Sequence, residues 1–225
     1  SDSSDVMTIN GTVTKTFLSL CLVVISGYYS WINISITNVL ILPAIFVALI
    51  LGGVTIYKKH LSPITVPIYA VIQGVFLGAI SYTFNSLYDG IVITAISYTL
   101  SILFVMLTLY RTGIIKPTEN FKLGVAAGTG GIALIYLANF VMSFFGTGLS
   151  IMDINNASMY SIGFSLLVIV MASLNLVVDF DFIEEGSEKR APKYMEWYGA
   201  FGLLVTLIWL YLEILRLLAK MNSRK

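Results

Sequence analysis

Residues 159–182 read MYSIGFSLLVIVMASLNLVVDFDF, a stretch in which the first charged side chain is Asp179. About 20 apolar residues are enough for a helix to cross the hydrocarbon core of a bilayer. Backbone amides in hydrocarbon are satisfied only within a helix or a closed barrel, and this stretch lacks the alternation of a barrel strand. It therefore predicts a membrane-spanning helix that ends in acidic residues.

The rest of the chain has the same character. Of its 225 residues 57% are hydrophobic and 11% are charged, against about 25% charged in soluble domains. We predict an all-α integral membrane protein made of a single transmembrane domain, 1–225, with a polar leader over 1–11 and a basic tail over 220–225. The predicted spans are 16–32, 39–57, 64–87, 91–110, 123–145, 159–182 and 198–221.

Lysine and arginine residues predict the orientation of these spans. They precede the first span and follow the second, fourth and sixth, whereas the intervening loops carry none. By the positive-inside rule, the N-terminus and the basic loops are cytoplasmic. Basic residues at the end of the seventh span disagree with this rule. Either the last helix crosses the membrane, which its length favours, or it re-enters and returns.

Two groups of small residues predict close helix packing. Gly74 and Gly78 form a small-xxx-small pair in the third span, and Gly124, Gly128 and Gly131 lie at the start of the fifth. A phosphate-binding loop would need a preceding strand and a lysine, and the sequence offers neither.

Acidic residues in the last two spans are the candidate functional groups. An ionisable side chain inside a bilayer costs about 3 kcal/mol, so it is found where it lines a cavity, binds an ion or titrates. Asp179 and Asp181 lie about 200° apart around a helix, so only one of them faces the bundle interior. The alternative is that both belong to the solvated end of the sixth span. Glu213 is flanked by apolar residues on both sides, and its simplest partner is Arg216 within the same helix.

Other residues exclude several classes of function. His60 is the only histidine, so a histidine-rich metal site is excluded, and no hydrolase triad is supported. We expect neither an enzyme nor a cofactor. The net charge of +1 gives no indication of nucleic acid binding. Lys58 and Lys59 are interpreted first as topology determinants and second as candidate partners of the acidic cluster in the sixth span.

Several segments resemble the Bax inhibitor motif superfamily. Residues 178–183 (VDFDFI) and 210–215 (LYLEIL) are similar to its last two helices. Further similarity to its bacterial branch comes from 8–12 (TINGT), 62–65 (SPIT), 69–74 (YAVIQG) and 128–132 (GTGGI). The resemblance covers nearly the whole chain.

The resemblance implies a seven-helix bundle with the last helix central, acting as a pH-sensitive calcium leak channel. In such proteins a hydrogen-bonded pair of carboxylates on the last two helices closes the pore. Asp179 matches the sixth-helix aspartate, Asp181 takes a position often held by a polar amide, and Glu213 replaces the seventh-helix aspartate. Two carboxyls in a site of low dielectric constant share a proton, so we expect the shared proton to close the gate and ionisation to open it.

The same resemblance implies the partners. Calcium prefers carboxylate oxygens, so Asp179 and Glu213 are its expected transient ligands, with Lys58, Lys59 and Arg216 as candidate gate partners. We expect a monomer in the cytoplasmic membrane of a bacterium, with calcium ions and the lipid bilayer as partners and no nucleic acid; the sequence does not identify protein partners.

A second hypothesis stays open at this point. Polar residues are scarce in spans three to six, which suits a slow leak but also suits a non-conducting scaffold or regulator of other membrane proteins. Such a regulator would bind its partners through the small-residue helix faces.

Overall fold

The computed structural model describes residues 5–224 and is almost entirely helical. Within this range seven helices are long and apolar enough to cross a membrane, as predicted. They are α1 (Ile9–Ile32), α2 (Ile34–Tyr57), α3 (Lys59–Leu87), α4 (Ile91–Arg111), α5 (Glu119–Ser143), α6 (Met159–Glu188) and α7 (Met195–Asn222).

The ends of the helices differ from the predicted bounds where polar residues extend a helix beyond its apolar part. The Thr8 hydroxyl accepts a hydrogen bond from the Gly11 amide and caps α1, so residues 9–11 of the predicted leader are helical. α6 likewise continues through its acidic end to Glu188. Residues 1–4 of the leader and residue 225 of the tail lie outside the described residues.

The helices differ strongly in burial. In the most apolar part of α7, 61% of the residues are buried, the largest share among the seven, as expected of a central helix. In α5 the share is 11%.

The chain divides into two compact units. The first contains the described residues up to Leu87 together with Asp181–Val205, and the second contains Tyr88–Phe180 together with the described residues from Thr206 onward. Each unit therefore takes one part of α6 and one part of α7.

Close contact between α1 and α3 holds the first unit together. A Cβ atom at Gly78 would collide with the Gly27 carbonyl, and one at Gly74 would collide with Ser26. The Ser30 hydroxyl donates a hydrogen bond of 2.8 Å to the Val75 carbonyl. The predicted small-residue contact of the third span is thus confirmed.

A second feature of the first unit, which the sequence did not indicate, is an N-terminal clamp formed by residues 5–15 on the start of α7. The Glu196 side chain is fully buried, and its carboxylate accepts hydrogen bonds from the amide and hydroxyl of Thr8, at 3.0 and 2.9 Å. Lys15 and Lys193 each lie 2.8 Å from this carboxylate. Glu196 also lies in the first turn of α7, where the helix dipole favours a negative charge.

Backbone bonds extend the clamp to the connection between α6 and α7. The Met7 amide donates to the Ala191 carbonyl at 2.7 Å, and the Lys193 amide donates to the Asp5 carbonyl at 3.0 Å. The Met7 side chain is buried against Gly186 and Gly199. The N-terminal clamp thus holds the end of α6 and the beginning of α7 within one unit.

Gly11→Ala should break the N-terminal clamp. A Cβ atom at Gly11 would lie inside contact distance of the Glu196 carboxylate, so the carboxylate must leave its donors and the two lysines. We expect the protein to lose about 2 kcal/mol of stability, since removing a partner from a buried ion pair is costly and the lysines here are partly exposed. Thermal unfolding in detergent measures the loss.

Gly53→Ala is the matched control. Gly53 is also a helical glycine of the first unit, and a Cβ atom there meets open space. Alanine should leave stability unchanged or raise it by about 0.5 kcal/mol. Equal destabilisation by both substitutions would contradict the clamp.

In the second unit α6 and α7 run antiparallel. Thr206 of α7 donates a hydrogen bond to Asp179 of α6, and Lys220 of α7 donates one to Ser165 of α6. The Ser223 hydroxyl, just after α7, donates to the Ile154 carbonyl before α6. α7 is therefore one unbroken helix that reaches the level of the α5–α6 connection, which favours the crossing alternative over re-entry.

The predicted packing of the fifth-span glycines is correct only at Gly128. A Cβ atom at Gly128 would collide with Met171 of α6, whereas Gly124, Gly130 and Gly131 have nothing within 4 Å of such an atom. Spacing along a helix does not say which way the small-residue face points, and here most of it points away from the described residues.

Candidate functional site

Asp179 lies within α6 and contacts α7 through Thr206. The Thr206 hydroxyl donates a hydrogen bond of 2.6 Å to Asp179 Oδ2. Thr206 is buried and Asp179 is half-buried. One turn earlier on α6, the Asn175 amide donates to the Thr129 hydroxyl of α5 at 2.8 Å. Asp179 thus belongs to a series of polar contacts that α6 makes with its neighbouring helices.

Glu213 has a different set of partners, contributed by α5 and by α7 itself. Tyr136 Oη donates to Glu213 Oε2 at 2.8 Å, and Arg216 Nη1 donates to the same oxygen at 3.1 Å. Trp209 Nε1 donates to Tyr136 Oη at 3.2 Å, and the Arg216 guanidinium lies 5.7 Å from the centre of the Tyr136 ring. The expected ion pair between Glu213 and Arg216 is thus present.

The expected contact between Asp179 and Glu213 is absent from the described residues, because each carboxylate has its own partners. The register of α6 and α7 explains this. α6 and α7 are antiparallel, and they meet at Asp179–Thr206 and at Ser165–Lys220. The stretch from Ser165 to Asp179 on α6 contains as many residues as the stretch from Thr206 to Lys220 on α7, so the same register holds at both contacts. Glu213 therefore lies at the level of Ala172, about 10 Å along the helix from Thr206. The residue of α7 that faces Asp179 is Thr206.

The other predicted site residues lie in the first unit. Asp181 is half-buried, two residues beyond Asp179 on α6. Lys58 and Lys59 are exposed, and Lys59 Nζ lies 5.0 Å from the centre of the Tyr198 ring. Their roles at a gate remain predictions.

A stripe of polar side chains runs along α7 in the second unit and was missed in the sequence. Successive members are three or four residues apart, so they share one face of the helix, and the stripe is about 21 Å long. That spacing was the signal that could have revealed it. We call it the polar stripe, and it consists of Thr206, Trp209, Glu213, Arg216 and Lys220.

Lys220 is the last residue of the polar stripe and lies near the end of α7. Its side chain is fully buried, and Nζ donates to the carbonyls of Ile151 and Ser161 and to the Ser165 hydroxyl, at 2.7, 3.1 and 2.9 Å. These three acceptors satisfy all donors of the ammonium group. The positive-inside rule concerns basic residues in the loops. Some of the basic residues at the end of the seventh span lie inside the protein instead, which explains why they conflicted with the rule.

No group of three or more side chains suited to holding a metal ion occurs between residues 5 and 224. Calcium needs six to eight oxygen ligands.

The apolar helices and their internal polar stripe define a multi-pass integral membrane protein. A family model described as Bax inhibitor 1 like matches residues 1–223, so the chain belongs to this family. A comparison with curated proteins gives no match.

Proposed function

We propose that this protein is a pH-sensitive calcium leak channel whose ions pass along the polar stripe of α7. The observation that carries the proposal is the stripe itself. Between Thr206 and Lys220 the other residues of α7 are mainly apolar, so five polar side chains on one face raise its insertion cost, and such groups are retained in membranes mainly where they line an ion pathway.

Polar side chains from neighbouring helices support the same pathway. Asp179 meets the stripe at Thr206, and Tyr136 meets it at Glu213. A carboxylate at each of two levels provides two oxygen sites for a hard divalent cation. Passage between few and widely separated sites suits a slow leak.

The gate in this proposal is the Asp179–Thr206 contact. An ionised Asp179 attracts calcium to this level of the pathway, and protonation removes that attraction. Calcium flux should therefore rise with pH. Threonine does not titrate, so Asp179 is the titrating group of the Asp179–Thr206 contact.

The proposal also covers the orientation, location and partners of the channel. The basic loops support a cytoplasmic N-terminus. We propose a monomer in the cytoplasmic membrane of a bacterium that catalyses no reaction, needs no cofactor and has calcium ions and the lipid bilayer as partners.

Calcium flux into liposomes tests the proposal. Purified protein is reconstituted into liposomes containing a calcium-sensitive dye, and protein-free liposomes are the control. We expect slow calcium entry that is faster at mildly alkaline than at mildly acidic pH. Entry equal to that of protein-free liposomes at every pH would exclude the leak.

A second candidate function is a non-conducting regulator of other membrane proteins. Gly124, Gly130 and Gly131 of α5 have open space beside them, and α5 is the least buried helix. An exposed small-residue face of this kind allows another helix to approach closely in a bilayer. A protein that conducts no calcium but co-purifies with a partner lost in Gly131→Leu would support this alternative.

A further inference from the structure

The Glu213 carboxylate has two oxygens in different environments. Oε2 accepts hydrogen bonds from both Tyr136 and Arg216. Oε1 is buried and has no hydrogen-bond partner among the described residues. Buried polar atoms in native proteins are nearly always paired, and each exception calls for an explanation such as an ion or a water molecule. Only 2% of the Glu213 side chain is exposed, so Oε1 lies ready for a ligand inside the protein.

The charges around Glu213 determine what this ligand can be. An oxygen of a carboxylate attracts a cation, but Arg216 already neutralises the carboxylate. A divalent cation at Oε1 would be repelled by the guanidinium at such short range. Calcium and the bound Arg216 side chain therefore exclude each other.

Arg216 and Lys220 differ in how firmly they are held. Lys220 is fully buried and has three oxygen acceptors. Arg216 is 26% exposed, and within residues 5–224 its hydrogen-bond acceptors are one oxygen of Glu213 and the sulfur of Met152, at 3.8 Å. Sulfur is a weak acceptor. Arg216 is therefore held less firmly than Lys220 and can leave Glu213.

We propose that Arg216 is a tethered cation that occupies a calcium-binding position at Glu213, and that calcium binds there when Arg216 leaves. The calcium ligands are the two oxygens of Glu213 and the Tyr136 hydroxyl oxygen, with water completing the shell. This inference rests on the proposed leak and identifies a cation site within its pathway. Arg216 is then a positioning residue that limits how often the site accepts calcium.

Terbium(III), an oxygen-seeking ion close to calcium in size, tests the site in detergent without any flux. Its luminescence rises when a nearby tryptophan is excited, and Trp209 is connected to Glu213 through Tyr136. Arg216→Met should raise terbium affinity by about tenfold or more over the wild type. Added calcium should compete with terbium.

Two controls are matched to this variant. Arg216→Lys keeps the positive charge, and its terbium affinity should stay close to that of the wild type. The double variant Glu213→Gln with Arg216→Met lacks the carboxylate and should lose the gain. Equal affinities of the wild type and Arg216→Met, or a gain that survives Glu213→Gln, would overturn the site.

Thermal unfolding provides a second readout. Arg216→Met leaves Glu213 as a buried anion without its counter-charge, which is destabilising. Calcium should raise the melting temperature of Arg216→Met more than that of the wild type. If Arg216→Met is recovered folded only when calcium is present during extraction, the site is supported. If calcium rescues neither this variant nor Arg216→Gln, the proposal is wrong.

Liposome flux separates the site from the leak. Tighter terbium binding by Arg216→Met, with no calcium flux in any variant, would exclude the leak and keep the cation site. Flux in the wild type, with no change in terbium affinity, would exclude the site and keep the leak.

Discussion

Asp179→Asn is expected to abolish the pH dependence of calcium flux in liposomes. Asparagine keeps the shape of aspartate and accepts the Thr206 hydrogen bond, but it does not titrate. Flux at mildly alkaline pH should fall by about tenfold, the lower end of what a local charge contributes to cation capture. Stability should change by only about 1 kcal/mol, the difference between a charged and a neutral hydrogen bond.

Asp181→Asn and His60→Gln are the controls for this experiment. Asp181 is the neighbouring acid on a different face of α6, and His60 is the only histidine of the chain. Both variants should keep the wild-type pH profile. If Asp181→Asn flattens the profile as strongly as Asp179→Asn, the pH dependence comes from several acidic residues at the end of α6 together, and the proposal of a gate at Asp179 is wrong.

Thr206→Asp is expected to create the carboxylate pair that Glu213 does not form. Its carboxyl group would face Asp179 at the position from which the Thr206 hydroxyl now donates its hydrogen bond. Two carboxyls in contact between apolar helices are costly to ionise together, so they share a proton. We expect the midpoint of the flux profile to move to higher pH by about one unit or more.

Three further variants are compared with Thr206→Asp. Thr206→Asn adds a polar group that does not titrate, and it should leave the midpoint unchanged. Thr206→Val removes the hydrogen bond to Asp179 and should cost about 2 kcal/mol of stability, as for a buried charged hydrogen bond. Glu213→Gln should preserve the pH dependence, because Glu213 lies two turns away from Asp179. A flat profile in Glu213→Gln would instead restore the pairing of Asp179 with Glu213.

The sequence by itself determined the class and the helices of this protein. Hydrocarbon leaves backbone amides no partner outside their own helix, so length and apolar composition were sufficient to predict seven spans. The same reasoning singled out Asp179 and Glu213, because a carboxylate within an apolar span stands out from composition alone. The local ion pair of Glu213 with Arg216 was also predictable, since helix geometry brings residues three apart together.

Only the tertiary structure decided which residues meet across helices. Whether Asp179 faces Thr206 or Glu213 depends on how far α7 is displaced along α6, and a displacement of two turns leaves every sequence spacing unchanged. The rotation of α5 likewise decided that Gly128 packs while Gly124 and Gly131 remain open. Burial of Glu196 and Lys220 required partners distant in the sequence, at Thr8 and at Ile151. Helix formation depends on each segment alone, whereas register, rotation and long-range hydrogen bonds depend on all packed segments at once.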